Sequence, residues 1–148
     1  EISNFALPAY GSIHNRKYWD LEPYVGLGAG AHSFDGNHRW SNWISTAEYQ
    51  ASLVRGESPV AESHCLTTDE QIEEFFFLGL RRAEGVDLSV ARQVWGAPRI
   101  RRWEPAITGL INRGLIEKDA DRIRVAEGAY LVSNEVFQEF LAASEEAQ

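Results

Sequence analysis

Residues 14–19 read His14-Asn15-Arg16-Lys17-Tyr18-Trp19 and place an imidazole, an amide, a phenol and an indole within six positions. A neutral imidazole is a good ligand for iron, zinc and copper, and haem iron commonly takes an axial histidine. His14 is therefore the candidate metal ligand. Tyr18 and Trp19 are large, flat and amphipathic, which suits stacking on a macrocycle while a polar tip meets water or a propionate. Asn15 is the side chain to orient the imidazole or to bond a propionate. The alternative is a solvent-side loop in which Tyr18 and Trp19 only pack.

A glycine-rich run follows, Gly26-Leu27-Gly28-Ala29-Gly30-Ala31-His32-Ser33. Gly26, Gly28 and Gly30 let a backbone approach something flat or phosphorylated, and His32, directly after them, is expected to face the same cavity as His14. The run resembles half of a phosphate- or adenosine-binding turn but lacks the G-x-G-x-x-G spacing that opens a helix. Glycines at a strand end also serve close packing. A zinc site wants three or four ligands, often closely spaced. Here His38 and His64 are scattered and read as surface or core-edge residues. The single Cys65 excludes an internal disulfide and a multi-cysteine iron–sulfur site, and is itself expected to be a small buried hydrophobe. No nucleophile constellation stands out: Ser33 directly follows His32, and neighbours on a strand face opposite ways.

Residues 1–40 show little helical periodicity. Tyr24-Val25-Gly26-Leu27-Gly28 reads as a short buried strand entering the glycine loop, and Ile2–Phe5 as a second strand. From Trp40 onward the signals turn helical. Ser45-Thr46-Ala47-Glu48 is a capping box for a helix that runs to about Arg55 and stops at Gly56. Glu57 to Leu66 reads as a loop. Thr68-Asp69-Glu70-Gln71 is a second capping box, opening a central helix that buries Ile72, Phe75, Phe76, Gly79, Leu80 and Ala83 and ends at Gly85. The acids at 69–74 suit the dipole of its first turns. Asp87 caps a short helix to Trp95, closed by Gly96. Another lies between Pro98 and Gly114, kinked at Pro105 or starting there. Residues 115–118 and 122–125 flank Asp119-Ala120-Asp121 as a hairpin. A last helix starts near Ser133, with Val132 able to staple onto Phe137.

The 148 residues suffice for one domain or slightly more, and 44% hydrophobic content is ordinary for a soluble globular protein. No apolar run approaches a membrane span, and residues 1–5 form no signal peptide. The chain has no Met and begins abruptly in a strand-like segment. This reads as the C-terminal piece of a longer protein, the alternative being a processed whole domain. Net charge is −8, which disfavours nucleic acid and anionic membranes. A stretch from Ala97 to Glu127 with seven Arg/Lys against five acids is the exception.

The combination is more specific than its parts. Glu1–Ala6, H-N-x-x-Y-W at 14–19 and Tyr24–Ser33 together resemble the radical S-adenosylmethionine family of oxygen-independent coproporphyrinogen oxidase-like proteins. The H-N-x-x-Y-W element is similar to the haem-chaperone branch (HemW) rather than the true oxidase branch (HemN). Glu74–Arg81 with Gly85-Val86-Asp87, Leu110–Ile116 and Gly128–Phe137 are similar to the family's C-terminal domain. The resemblance covers essentially the whole chain. It implies an α+β, mainly helical fold. Residues 1–40 would be the end of a partial α/β barrel, and residues 41–148 a helical domain with a winged-helix-like unit. His14, Asn15, Tyr18 and Trp19 would bind haem, and the glycine run would lie near an S-adenosylmethionine site. The full-length protein would carry a 4Fe-4S cluster, but the C-x-x-x-C-x-x-C cluster motif is absent here, so this chain alone would do no radical chemistry. Haem-accepting proteins, in transient contact at a membrane, would be the partners of a cytoplasmic protein. An anaerobic coproporphyrinogen III oxidase is the alternative within the family. A winged-helix nucleic-acid-binding regulator is the alternative outside it.

Overall fold

The computed structural model describes residue 7 and residues 10–145; the expected strand at Ile2–Phe5 lies outside them. The chain divides into two compact units. One takes in the chain up to Asp20 and from Thr68 onward, and the other runs Leu21–Thr67. The division thus falls after Asp20 and after Thr67.

The larger unit opens with helix α1, Ile13–Trp19, whose N-cap Ser12 accepts a hydrogen bond from the Asn15 amide. The motif residues, expected in a stretch without helical periodicity, are therefore helical. One polar cap suffices to start so short a helix, and tertiary contact sustains it. Helix α3, Thr68–Gly79, supplies that contact. The C-cap residue Asp20 also pairs with Arg82 just beyond α3. α3 is central, as its apolar stripe predicts. Ile72, Phe76 and Leu80 are fully buried, whereas Phe75 is half-buried and Ala83 exposed. The helix stops at Gly79 rather than Gly85. Gly79 packs so closely on Val86 that a Cβ there would collide with the valine side chain. Gly85 instead serves the next turn, where φ is 66° and an added Cβ would run into the Ile123 carbonyl.

Helix α4, Leu88–Trp95, is capped by Asp87 and closed by Gly96, as expected. A short α5, Ala97–Ile100, and a 3₁₀ turn, Arg101–Trp103, lead into α6, Glu104–Asn112, with Pro105 in its first turn. Of the two readings of Pro105, the helix start is the one realised. Strands β5, Ile116–Asp119, and β6, Arg122–Val125, form the predicted hairpin, and β4, Val86–Asp87, pairs with β6 to give the order β4-β6-β5. After a 3₁₀ segment, Glu127–Val132, helix α7 spans Ser133–Glu145. Phe76 stacks on Phe140 with ring centroids 4.5 Å apart. The buried Trp103 indole donates to the Phe140 carbonyl at 3.1 Å, so its polar edge is satisfied inside the core.

The smaller unit is a three-stranded antiparallel sheet, β1 (His32–Phe34), β2 (His38–Asn42) and β3 (Val60–Cys65), with α2, Thr46–Val54, between β2 and β3. Ser45 caps α2 through the Glu48 amide, as expected. Three readings of this region need correction. The chain from Tyr24 to Gly28 is no buried strand: Tyr24 forms a single bridge to Phe34, and Val25 and Leu27 are exposed. The segment read as a loop is β3, which carries no hydrophobic alternation because four of its residues are exposed. Cys65, at its end, is exposed rather than buried. Among the described residues, no helix is long and apolar enough to cross a membrane.

Candidate functional site

Helical geometry sorts the motif residues into two pairs one turn apart, His14 with Tyr18 and Asn15 with Trp19. His14 and Tyr18 are exposed, while Asn15 and Trp19 are half-buried. The exposed pair is in direct contact. The Tyr18 hydroxyl lies 3.2 Å from His14 Nε2, and the two rings meet edge to face at 5.1 Å and 86°. The arrangement offers one imidazole and one phenol at a helix surface. Among the described residues, no group of three or more His, Cys, Asp or Glu gathers as a metal site. A single imidazole is nonetheless a sufficient protein donor for a porphyrin iron, because the macrocycle supplies the equatorial nitrogens and the protein only an axial ligand. The donor chemistry of α1 therefore fits haem and does not fit a bare metal ion.

Gly26, Gly28, Gly30 and His32 belong to the smaller unit. The Gly26 amide donates to Ser33 Oγ at 3.0 Å, and the Gly30 amide to the Trp43 carbonyl at 2.8 Å. The Gly28 carbonyl accepts from Asn42 Nδ2 at 2.9 Å. A Cβ on Gly26 would collide with the His32 carbonyl, so glycine is required there by close approach of two backbone segments. These contacts pin the loop to its own sheet.

His32 lines an open concavity of about 570 Å³ with Arg39, Trp40, Ser41, Ala61, Glu62, Ser63 and His64. Register explains part of the grouping, since His32 pairs with Ser41, Ser41 with Glu62, and Arg39 with His64. The β2–β3 pairing is what brings His64 beside Arg39, a long-range contact that no local motif marks. His38 lies outside this lining. Its ring is 3.3 Å from Asp35 Oδ2, and the amides of His38 and then Asn37 hold the Asp35 carboxyl below the usual carboxylate range. Cys65 is the strand partner of His38, and its sulfur accepts from Asn37 Nδ2 at 3.3 Å.

Residues 66–132 match the family model of the HemN C-terminal domain. The fold is similar to a solved chain described as coproporphyrinogen III oxidase (HemN) from Escherichia coli, a radical SAM enzyme. That similarity has a TM-score of 0.68 at 20% identity and covers 80% of this chain and 28% of the other. This is a mixed helix-and-sheet protein built on the HemN C-terminal domain. Sequence relatives narrow the class. Heme chaperone HemW of Bacillus subtilis is 36% identical over 95% of this chain and 37% of its own length. Its Lactococcus lactis counterpart is 35% identical over the same shares. Bovine radical S-adenosyl methionine domain-containing protein 1, mitochondrial, is 26% identical over 99% of this chain and 36% of its own. Residues 66–132 thus carry a HemN-type C-terminal domain, and over nearly its whole length the chain is similar to heme chaperone HemW. It spans rather more than a third of the length of the curated relatives it matches.

Proposed function

We propose that this chain is the haem-binding part of a haem chaperone, with His14 as the axial ligand and Tyr18, Asn15 and Trp19 completing the contact surface. The observation that carries this reading is the exposed His14–Tyr18 pair on α1. It puts a metal-binding nitrogen and an aromatic edge where a flat macrocycle can reach both. When bound, haem supplies the iron whose axial position the imidazole fills. The chain's own residues hold that imidazole, present an aromatic edge to the ring and anchor the helix through Asp20 and Arg82. Delivery to haem-accepting proteins from the cytoplasm, with transient contact at a membrane, is the role this reading gives to the whole protein. There a 4Fe-4S cluster and S-adenosylmethionine would belong to the barrel. Residues 1–40 would be the end of that barrel. Gly26, Gly28, Gly30 and His32 would shape its adenosylmethionine side, Gly26 through close backbone approach and Gly28 and Gly30 through left-handed turns of the backbone.

The β5–β6 hairpin that follows α6, with β4 from before α4 completing its sheet, supports the winged-helix assignment. Arg102 and Arg113 of that region argue against nucleic acid, because they are bound to carboxylates: Arg102 meets Asp69 at 2.7 Å, and Arg113 meets Glu139 at 2.6 Å. The H-N-x-x-Y-W motif favours the chaperone over an anaerobic coproporphyrinogen oxidase. Absorbance titration of haem into this chain and into His14→Ala tests the proposal. A saturable Soret shift that is weakened at least tenfold in the variant is expected. Equal binding by both would remove His14 from the site.

A further inference from the structure

The contact between His14 and Tyr18 has a second consequence, which rests on His14 being the axial ligand. We propose that Tyr18 is a latch on that ligand: its hydroxyl occupies His14 Nε2 in the haem-free protein, and haem binds by displacing it.

A phenol O–H is a better donor than an imidazole N–H, and an imidazole nitrogen is a better acceptor than a phenol oxygen. In the latch the 3.2 Å contact is an O–H···Nε2 bond, with the imidazole proton on Nδ1. Nδ1 sits next to Cγ, close to the helix backbone, whereas Nε2 projects outward. A rigid macrocycle can approach only the projecting nitrogen, and the phenol already holds its lone pair. One lone pair serves either the phenol proton or iron. In the exchange the Nε2 lone pair passes from the Tyr18 hydrogen bond to iron. The phenol keeps its proton and turns to water, Nδ1 keeps its own proton, and no electron is transferred. The i, i+4 spacing makes the competitor intramolecular, so the latch recloses as soon as iron leaves.

Tyr18→Phe keeps the ring and removes only the hydroxyl. In the full chain, haem affinity is expected to rise about three- to tenfold, the scale of one net hydrogen bond, and haem transfer to apomyoglobin is expected to slow by a similar factor. In haem-free protein, long-range ¹H–¹⁵N spectra are expected to show His14 with its proton on Nδ1, and the Nε2 resonance is expected to move in Tyr18→Phe. Unchanged or weaker haem binding by Tyr18→Phe, with His14→Ala still defective, would overturn the latch alone. A proton on Nε2 in the parent protein would do the same. Undiminished binding by His14→Ala would overturn the ligand assignment and the latch together.

Discussion

Asp87 shows how much one side chain can decide. It is the N-cap of α4, accepting from the Ser89 amide at 2.9 Å and the Ser89 hydroxyl at 2.6 Å, and it pairs with Arg122 at 3.4 Å. The Ser89 hydroxyl, then the Ser89 amide, hold its carboxyl below the usual carboxylate range. A depressed folded-state pKa stabilises the protein fully above the unfolded-state value and is lost as pH falls through the folded one. Asp87→Ala is therefore expected to lower the melting temperature near neutral pH and to flatten its decline toward about pH 3, as followed by circular dichroism. An equally steep acid decline in the variant would place the titration elsewhere. The cap was legible from residue type and spacing alone, because a cap is a local hydrogen bond. The His14–Tyr18 bond was not, since Ser12 is a lone cap signal with no apolar stripe after it to mark α1 as a helix.

The elements divide by how their signals are written. α3 announces itself through an apolar stripe that becomes the centre of the larger unit. Phe76, fully buried, stacks on Phe140 of α7 and meets Phe75 edge on. Phe76→Ala would empty a cavity at the meeting of two helices and is expected to cost about 3–5 kcal/mol, measured by urea unfolding. A cost below about 1 kcal/mol would mean that the core collapses onto the gap. α4, α6 and the β5–β6 hairpin were equally plain, each bounded by a cap, a proline or a turn. β3 was missed, because a sheet strand exposed on much of its length carries no hydrophobic alternation. Its pairing with β2, register by register, is a long-range fact. The concavity that gathers His32, Arg39 and His64 depends on that pairing, so it was equally hidden.

At the scale of the whole molecule, several arginines are paired with carboxylates of the same chain. Arg92 meets Asp121, Arg102 meets Asp69, Arg113 meets Glu135 and Glu139, and Arg124 meets Glu117. Guanidiniums already facing carboxylates release few counterions on a phosphate backbone. With a net charge of −8, the chain is expected to show no duplex DNA binding by fluorescence anisotropy at about 50 mM salt. A steep salt-dependent affinity would revive the regulator reading. The residue sequence by itself determined the family resemblance, the ligand candidates, the capped helices and the hairpin, because motif spacing, caps and turns are local chemistry. Only the tertiary structure decided that H-N-x-x-Y-W is a helix with His14 against Tyr18, that β3 completes a sheet, that Cys65 faces solvent and that the chain divides after Asp20 and Thr67. Those outcomes depend on contacts between segments far apart in the chain, and periodicity carries no record of a partner that lies elsewhere.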